Sequence, residues 1–207
     1  MTQGHLIAFE GIEGAGKSTQ ITLLAEALRQ RGLVVRQTRE PGGTSLGAEI
    51  RKLVLSLREP APAPLAELLL YLADRAQHLG ELIVPALKRG EVVLTDRFSA
   101  STIVYQGYAR DLGLQRVIEL DALVRNGVSP SLTLLLDCPV EIGLGRAEGD
   151  DRFHREQLAF HEKVRAGFLA LAGREPERWK CIDAQTNAET VHAEVLSAVL
   201  PLIGLAA

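Results

Sequence analysis

Two cysteines, Cys138 and Cys181, are too few for a disulfide framework in a chain of 207 residues. Each stands at the end of an expected strand, which points to a reduced, cytoplasmic protein. No basic leader precedes a signal-type apolar run, since Met1-Thr2-Gln3-Gly4-His5 leads straight into a strand. No charge-free stretch approaches the roughly 20 apolar residues that cross a bilayer, so no membrane partner is expected. Positive charge is not in surplus either. With a net charge of −3 and a pI near 6.0 the chain lacks the electrostatic footprint of a nucleic-acid binder. His5, His78, His154, His161 and His192 show no metal-ligand spacing with the cysteines and read as structural or surface groups. Prolines cluster only in Glu59-Pro60-Ala61-Pro62-Ala63-Pro64, a stiff connection too short to link domains. Internal repeats are absent.

The hydrophobic content of 46% is enough to bury one core, so residues 1–207 are expected to form a single domain. Nearly continuous apolar runs at Leu6 to Glu10, Val34 to Thr38, Val92 to Thr95, Leu132 to Asp137 and Trp179 to Asp183 read as strands. Helical patterns alternate with them. This is the signature of an α/β fold, a five-stranded parallel sheet with helices on both faces. Between Pro64 and Lys88 apolar residues recur at helical spacing, and Pro85 is expected to kink that helix near its end. Its apolar excess suits either a dimer face or an ordinary core helix.

After the first strand comes Gly11-Ile12-Glu13-Gly14-Ala15-Gly16-Lys17-Ser18, a full match to G-x-x-x-x-G-K-[ST], followed by Thr19 and a helical pattern. Glycines let successive N–H groups turn inward on phosphate oxygens, and the helix that follows adds its positive dipole end. Lys17 then neutralises the transferring phosphate and the Ser18 hydroxyl ligates Mg²⁺. The loop alone leaves open whether the phosphoryl group goes to water, to a protein or to a small molecule. Asp96 ends the strand Val92-Val93-Leu94-Thr95 and is placed to hold Mg²⁺, with helix capping as the alternative. A hydrolytic ATPase usually has a glutamate next. Here Arg97 follows, and neither an N/T-K-x-D nor a D-x-x-G motif of GTPases is present. Transfer to an acceptor phosphate is therefore favoured. Arg39, at the end of the second strand before the turn Glu40-Pro41-Gly42-Gly43-Thr44, points to the ligand crevice of such a sheet.

The ordered set Phe9-Glu10-Gly11 with Glu13, Arg39-Glu40-Pro41-Gly42-Gly43-Thr44, Asp96-Arg97-Phe98 and Tyr105-Gln106-Gly107 resembles the bacterial thymidylate kinase (dTMP kinase) family. The similarity continues through Leu136-Asp137, Gly145-Arg146, Asp151-Arg152 and Ile182-Asp183-Ala184, covering nearly the whole chain. The resemblance implies a P-loop kinase, with ATP and dTMP as its small-molecule partners and a homodimer as its assembly. By the same resemblance Arg39 and Arg97 hold the dTMP phosphate and Glu13 accepts a hydrogen bond from the sugar 3′-hydroxyl. Tyr71 stacks on thymine, with a packed core tyrosine as its other reading. Arg75 donates to a thymine carbonyl, Ser101 and Gln106 lie near the base edge, and Tyr105 crowds the sugar 2′ position. Arg146 lies along adenine, with Ala184 beside that base.

One branch of that family carries an arginine inside the phosphate loop, where this chain has Gly14. The other branch supplies it from a lid, here residues 146–156, which is shorter and poorer in arginine than usual. Arg152 is the expected catalytic arginine and Arg155 a weaker candidate, although pairing with Asp150 or Asp151 or simple solvation would serve either. Two other readings stay open: a different nucleotide or nucleoside kinase of the same fold, or a regulator that senses ATP without turnover.

Overall fold

The computed structural model describes residues 4–57, 60–147, 152–153 and 156–205. Expectations placed on Glu59, Gly149, Asp150, Asp151, His154 and Arg155 lie outside the described residues. Strands β1 (His5–Glu10), β2 (Val35–Arg39), β3 (Val92–Asp96), β4 (Leu132–Asp137) and β5 (Trp179–Asp183) form one parallel sheet in the order β2-β3-β1-β4-β5. The expected α/β fold is thus the observed one. β4 and β5 keep their expected bounds. β2 is displaced, losing Val34 and gaining Arg39, while β3 gains Asp96, because Arg39 pairs with Asp96 and Asp96 with Phe9 in the ladder. Hydrogen-bonded register carries strands past the last apolar residue, which hydrophobic pattern cannot show.

Side chains alternate across the sheet. Ile7 and Phe9 of β1 and Leu94 of β3 join Leu134 and Leu136 in one core, closed by Leu24 and Leu28 of α1 (Lys17–Gln30). Helices α8 (Leu158–Ala172) and α9 (Ala188–Leu202) complete it through Phe168 and Val195. On the opposite face Leu6, Ala8 and Val93 pack with Phe98, Leu79 and Ile83. Burial of each such side chain stabilises the fold by about 1.5–3 kcal/mol. The outer strands β2 and β5 expose charged residues such as Arg36 and Lys180, as edges do.

The long helical pattern is three segments: α3 (Pro64–His78), a π-helical turn (Leu79–Ile83) and α4 (Val84–Lys88). Pro85 has no N–H for the carbonyl four residues back, and its ring crowds that carbonyl. The widened π turn just before it accommodates both. The remaining helices are α2 (Ser45–Leu55), capped by the Thr44 hydroxyl on Gly47 N, α5 (Ser99–Thr102), α6 (Leu114–Arg125) and α7 (Val140–Arg146). A second π segment, Ile103–Ala109, continues α5. No described helix is long and apolar enough to cross a membrane.

Candidate active site

Every functional segment read from the sequence, apart from residues outside the description, leaves the carboxyl edge of this sheet or the helices above it. In an open parallel sheet that edge is where ligands bind. The loop after β1 turns through Gly14 and Gly16, both at positive φ (69° and 88°), and delivers the chain into α1. Gly14 lies against α7 so closely that a Cβ there would collide with the Gly143 carbonyl oxygen. The Lys17 ammonium folds back on the loop and donates to Gly11 O (3.1 Å) and Ile12 O (2.6 Å). Burial and the neighbouring Arg97 pull its pKa down to about 8, against the opposing pull of Asp96, Glu13 and Glu10.

The Ser18 hydroxyl donates to Asp96 Oδ2 at 3.2 Å, so the sequence motif and the strand end meet as expected. Asp96 Oδ1 is buried with no hydrogen-bond partner among the described residues. One hydroxyl, one carboxylate and an unsatisfied oxygen suit Mg²⁺, which keeps several waters and takes few protein ligands alongside phosphates. Among the described residues no cluster of three or more His, Cys, Asp and Glu forms a fuller metal cage.

A cavity of about 650 Å³ opens beside the loop. Arg39, Arg51 and Arg97 line it together with the loop. Arg39 is exposed and has no hydrogen-bond or ion-pair partner among the described residues. Arg51, on α2, is anchored by Nη1 to Pro41 O (3.0 Å), and burial together with Arg39 lowers its pKa. Two arginines close enough to repel each other on a cavity wall suit a bound anion. Nothing in the sequence singles out Arg51, because a helical arginine past the Gly42-Gly43 turn carries no local signal.

Arg97 adopts a left-handed backbone (φ 68°), rare for a residue with a side chain. Its Nη1 donates to Gly11 O (2.9 Å) and Ser101 Oγ (3.1 Å), and its Nη2 to Glu13 Oε1 (2.9 Å). The Tyr105 hydroxyl donates to the same Glu13 oxygen at 2.7 Å. Burial would raise the Glu13 pKa, but Arg97, His161, Lys17 and Tyr105 together hold it well below the usual carboxylate range.

The cavity continues to Tyr71, Arg75 and Gln106. Tyr71 is half-buried, packed against the core and on the cavity lining. Arg75 is almost fully buried, its Nε and Nη2 on Glu40 and its Nη1 on Asp121 (2.6 Å). That leaves one N–H on each terminal nitrogen for a ligand. The surrounding carboxylates outweigh burial and raise its pKa. Gln106 donates to Glu67 Oε1 at 2.8 Å. On the opposite side of the loop, Arg146 donates to the Ala184 and Gln185 carbonyls at 2.7 and 3.2 Å.

Arg152 is placed differently from the expectation. It does not line the cavity: it pairs with Glu67, donates from Nε to Val54 O (3.2 Å) and lies over the Phe153 ring. Its carboxylate partner among the described residues comes from α3, and Asp150 and Asp151 lie outside them.

A family model described as thymidylate kinase matches residues 9–195 of the chain. The chain belongs to the thymidylate kinase family. A thymidylate kinase of Geobacter sulfurreducens is 48% identical over 206 residues, covering 95% of this chain and 97% of that one. One from a Synechococcus species is 50% identical over 200 residues, covering 97% and 96%. The crystal structure of thymidylate kinase from Ehrlichia chaffeensis superposes with a TM-score of 0.79 at 34% identity, covering 95% of this chain and 99% of that one.

Within this thymidylate kinase fold Glu10 is a fully buried carboxylate of the site, part of the Phe9-Glu10-Gly11 motif but with no role assigned to it from the sequence. Its Oε1 accepts from the backbone N–H of Phe98 (2.9 Å) and Ser101 (3.2 Å), and its Oε2 from the Ser101 hydroxyl (2.6 Å). It thereby fixes the bend that carries Arg97. Burial raises its pKa to about 7, more than Ser101, Arg97 and Phe98 lower it. The native state thus holds a proton that the unfolded chain has lost, between the ordinary carboxylate value and about 7. Its contribution to stability is present below that window and fades as pH rises through it. The substitution E10Q mimics the protonated form. Urea unfolding should find wild type losing roughly 3 kcal/mol relative to E10Q between pH 4.5 and 7.5. A pH-independent difference would place an ionised Glu10 in the fold throughout.

Proposed function

We propose that this chain transfers the γ-phosphoryl group of ATP to dTMP, giving dTDP and ADP, a step of dTTP synthesis. The observation that supports the reading is a single cavity lined by Lys17 with its glycine loop and, in addition, by three arginines, Arg39, Arg51 and Arg97. A hydrolase needs only the first. Gly11 to Thr19 cradle the ATP phosphates, and adenine lies along Arg146 with Ala184 beside it. The dTMP phosphate lies on Arg39, Arg51 and Arg97, its sugar against Glu13 and Tyr105, and thymine against Tyr71, Arg75, Ser101 and Gln106.

Ser18 and Asp96 would hold Mg²⁺, which neutralises charge on the ATP phosphates when bound. The acceptor oxygen is already anionic near neutral pH, so no side chain needs to be a strong base. Lys17 and Arg97 lower the barrier by aligning two polyanions and screening their repulsion. For Arg152 to stabilise the transferring group from the lid, residues 146–156, it must exchange Glu67 for phosphate. The whole chain works as one domain in a cytoplasmic, reduced setting. Leu65 and Leu69 of α3 and Leu123 of α6, exposed on helices that pack together, offer an apolar face for a second copy.

ADP release measured with dTMP, dUMP, dCMP, AMP and thymidine tests the assignment. dTMP is expected to give the highest kcat/KM. A preference for AMP or thymidine would overturn it, and ATP binding without acceptor-dependent release would indicate a sensor.

A further inference from the structure

His161 reads as structural in the sequence, yet its surroundings are not those of a packing residue. Its side chain on α8 is fully buried, and neither ring nitrogen has a hydrogen-bond partner among the described residues. Nδ1 stands 3.7 Å from Glu13 Oε2, an oxygen that is itself buried and unpartnered. The other Glu13 oxygen already receives Arg97 and Tyr105. A buried carboxylate oxygen without a donor is unfavourable, and so is a buried ring N–H without an acceptor. A small approach of the two groups satisfies both. The ring also belongs to the aromatic group around Tyr105, since Phe160 meets it edge-on at 5.7 Å and Phe160 in turn packs on Tyr105.

We propose that His161 is a positioning residue for the acceptor nucleotide: its Nδ1–H closes on Glu13 Oε2 and so holds Oε1 toward the sugar 3′-hydroxyl. The inference rests on the reading of Glu13 as the sugar contact. With Oε2 held from behind, the carboxylate cannot rotate, and Oε1 remains the acceptor shared by Arg97, Tyr105 and substrate. His161 touches no reacting atom. Its effect is confined to a substrate that carries the hydroxyl.

The experiment compares kcat/KM for dTMP and for 2′,3′-dideoxy-TMP, which lacks that hydroxyl, in wild type, E13Q, H161F, H161N and H161Q. H161F keeps a ring but removes the donor and should cut the preference for dTMP by about tenfold, the effect of losing one hydrogen bond to a charged group. The Asn amide nitrogen falls near the position of Nδ1, so H161N should restore most of the preference. The Gln amide nitrogen falls near Nε2, so H161Q should not. If E13Q leaves the preference intact, Glu13 is not the sugar contact and both readings fall. If E13Q abolishes it while H161F retains it, the Glu13 assignment stands and His161 has no positioning role. Equal losses with both substrates in H161F would mark a purely structural residue and also overturn the proposal. Should H161F not fold, equal preferences in H161N and H161Q would overturn it as well.

Discussion

Replacement of Arg97 by alanine should lower kcat/KM for dTMP by roughly a thousandfold, the scale on which an arginine at a transferring phosphoryl group acts. Three of its contacts end together: those to the Gly11 carbonyl, the Ser101 hydroxyl and the Glu13 carboxylate. Its charge is also held in place by its surroundings. Burial opposes it, but Tyr105, Glu13, Asp96 and Glu10 raise its pKa above the ordinary value. Without the guanidinium, Glu13 faces the acceptor phosphate as an uncompensated negative charge, so repulsion is added where attraction was lost. The R97K enzyme should recover little, because one ammonium cannot serve three acceptors in fixed directions. Unfolding measurements separate this from collapse of the fold. At φ 68° an alanine is strained about as much as the arginine, and R97G relaxes the backbone without restoring activity. Near-normal kcat/KM for R97A would refute the assignment.

The central strands are legible because burial on both faces fills β1, β3 and β4 with apolar runs, their charged residues falling only at the strand ends. The phosphate loop is legible for a related reason: glycines at positive φ and a lysine beside a hydroxyl answer to backbone geometry that sequence encodes locally. What escapes depends on pairs far apart in the chain. Arg51 acquires its role only when α2 is laid against the end of β2. Glu10 belongs to a motif in the sequence but shows no role until Phe98 and Ser101 turn their N–H groups onto it across 88 and 91 positions. Arg152 shows the converse. Its motif suggests a place at the transferring phosphate, whereas Glu67, a carboxylate on α3 with almost no exposure, holds it off the cavity lining. Sequence can nominate a cation, but the nearest buried carboxylate decides where it waits.

The second large effect is expected at Gly14, where a relative would carry arginine. G14R should raise the KM for ATP by about tenfold to a hundredfold and also lower the unfolding midpoint. A residue with a side chain at φ 69° is strained by about 1 kcal/mol. The collision adds more: the new Cβ meets the Gly143 carbonyl oxygen and comes within 2.9 Å of Ala147 N, both backbone atoms at α7 that cannot rotate away. Overpacking of this kind costs about 1–3 kcal/mol. The approach is tight from the other side too, since a Cβ on Gly143 would sit 2.6 Å from Glu13 O. Relief therefore requires α7 to move, and α7 ends in Arg146, which holds the Ala184 and Gln185 carbonyls. The disturbance reaches the nucleotide side of the site even though the substitution adds a cation to a phosphate loop. G14A separates the two effects, because it keeps the clash and adds no charge. The decisive comparison is G14R/R152A against R152A. If a loop arginine could replace the lid arginine here, the double variant would be faster. The close packing of Gly14 on Gly143 predicts that it is slower, and a wild-type KM for ATP in G14R would show that α7 yields without consequence.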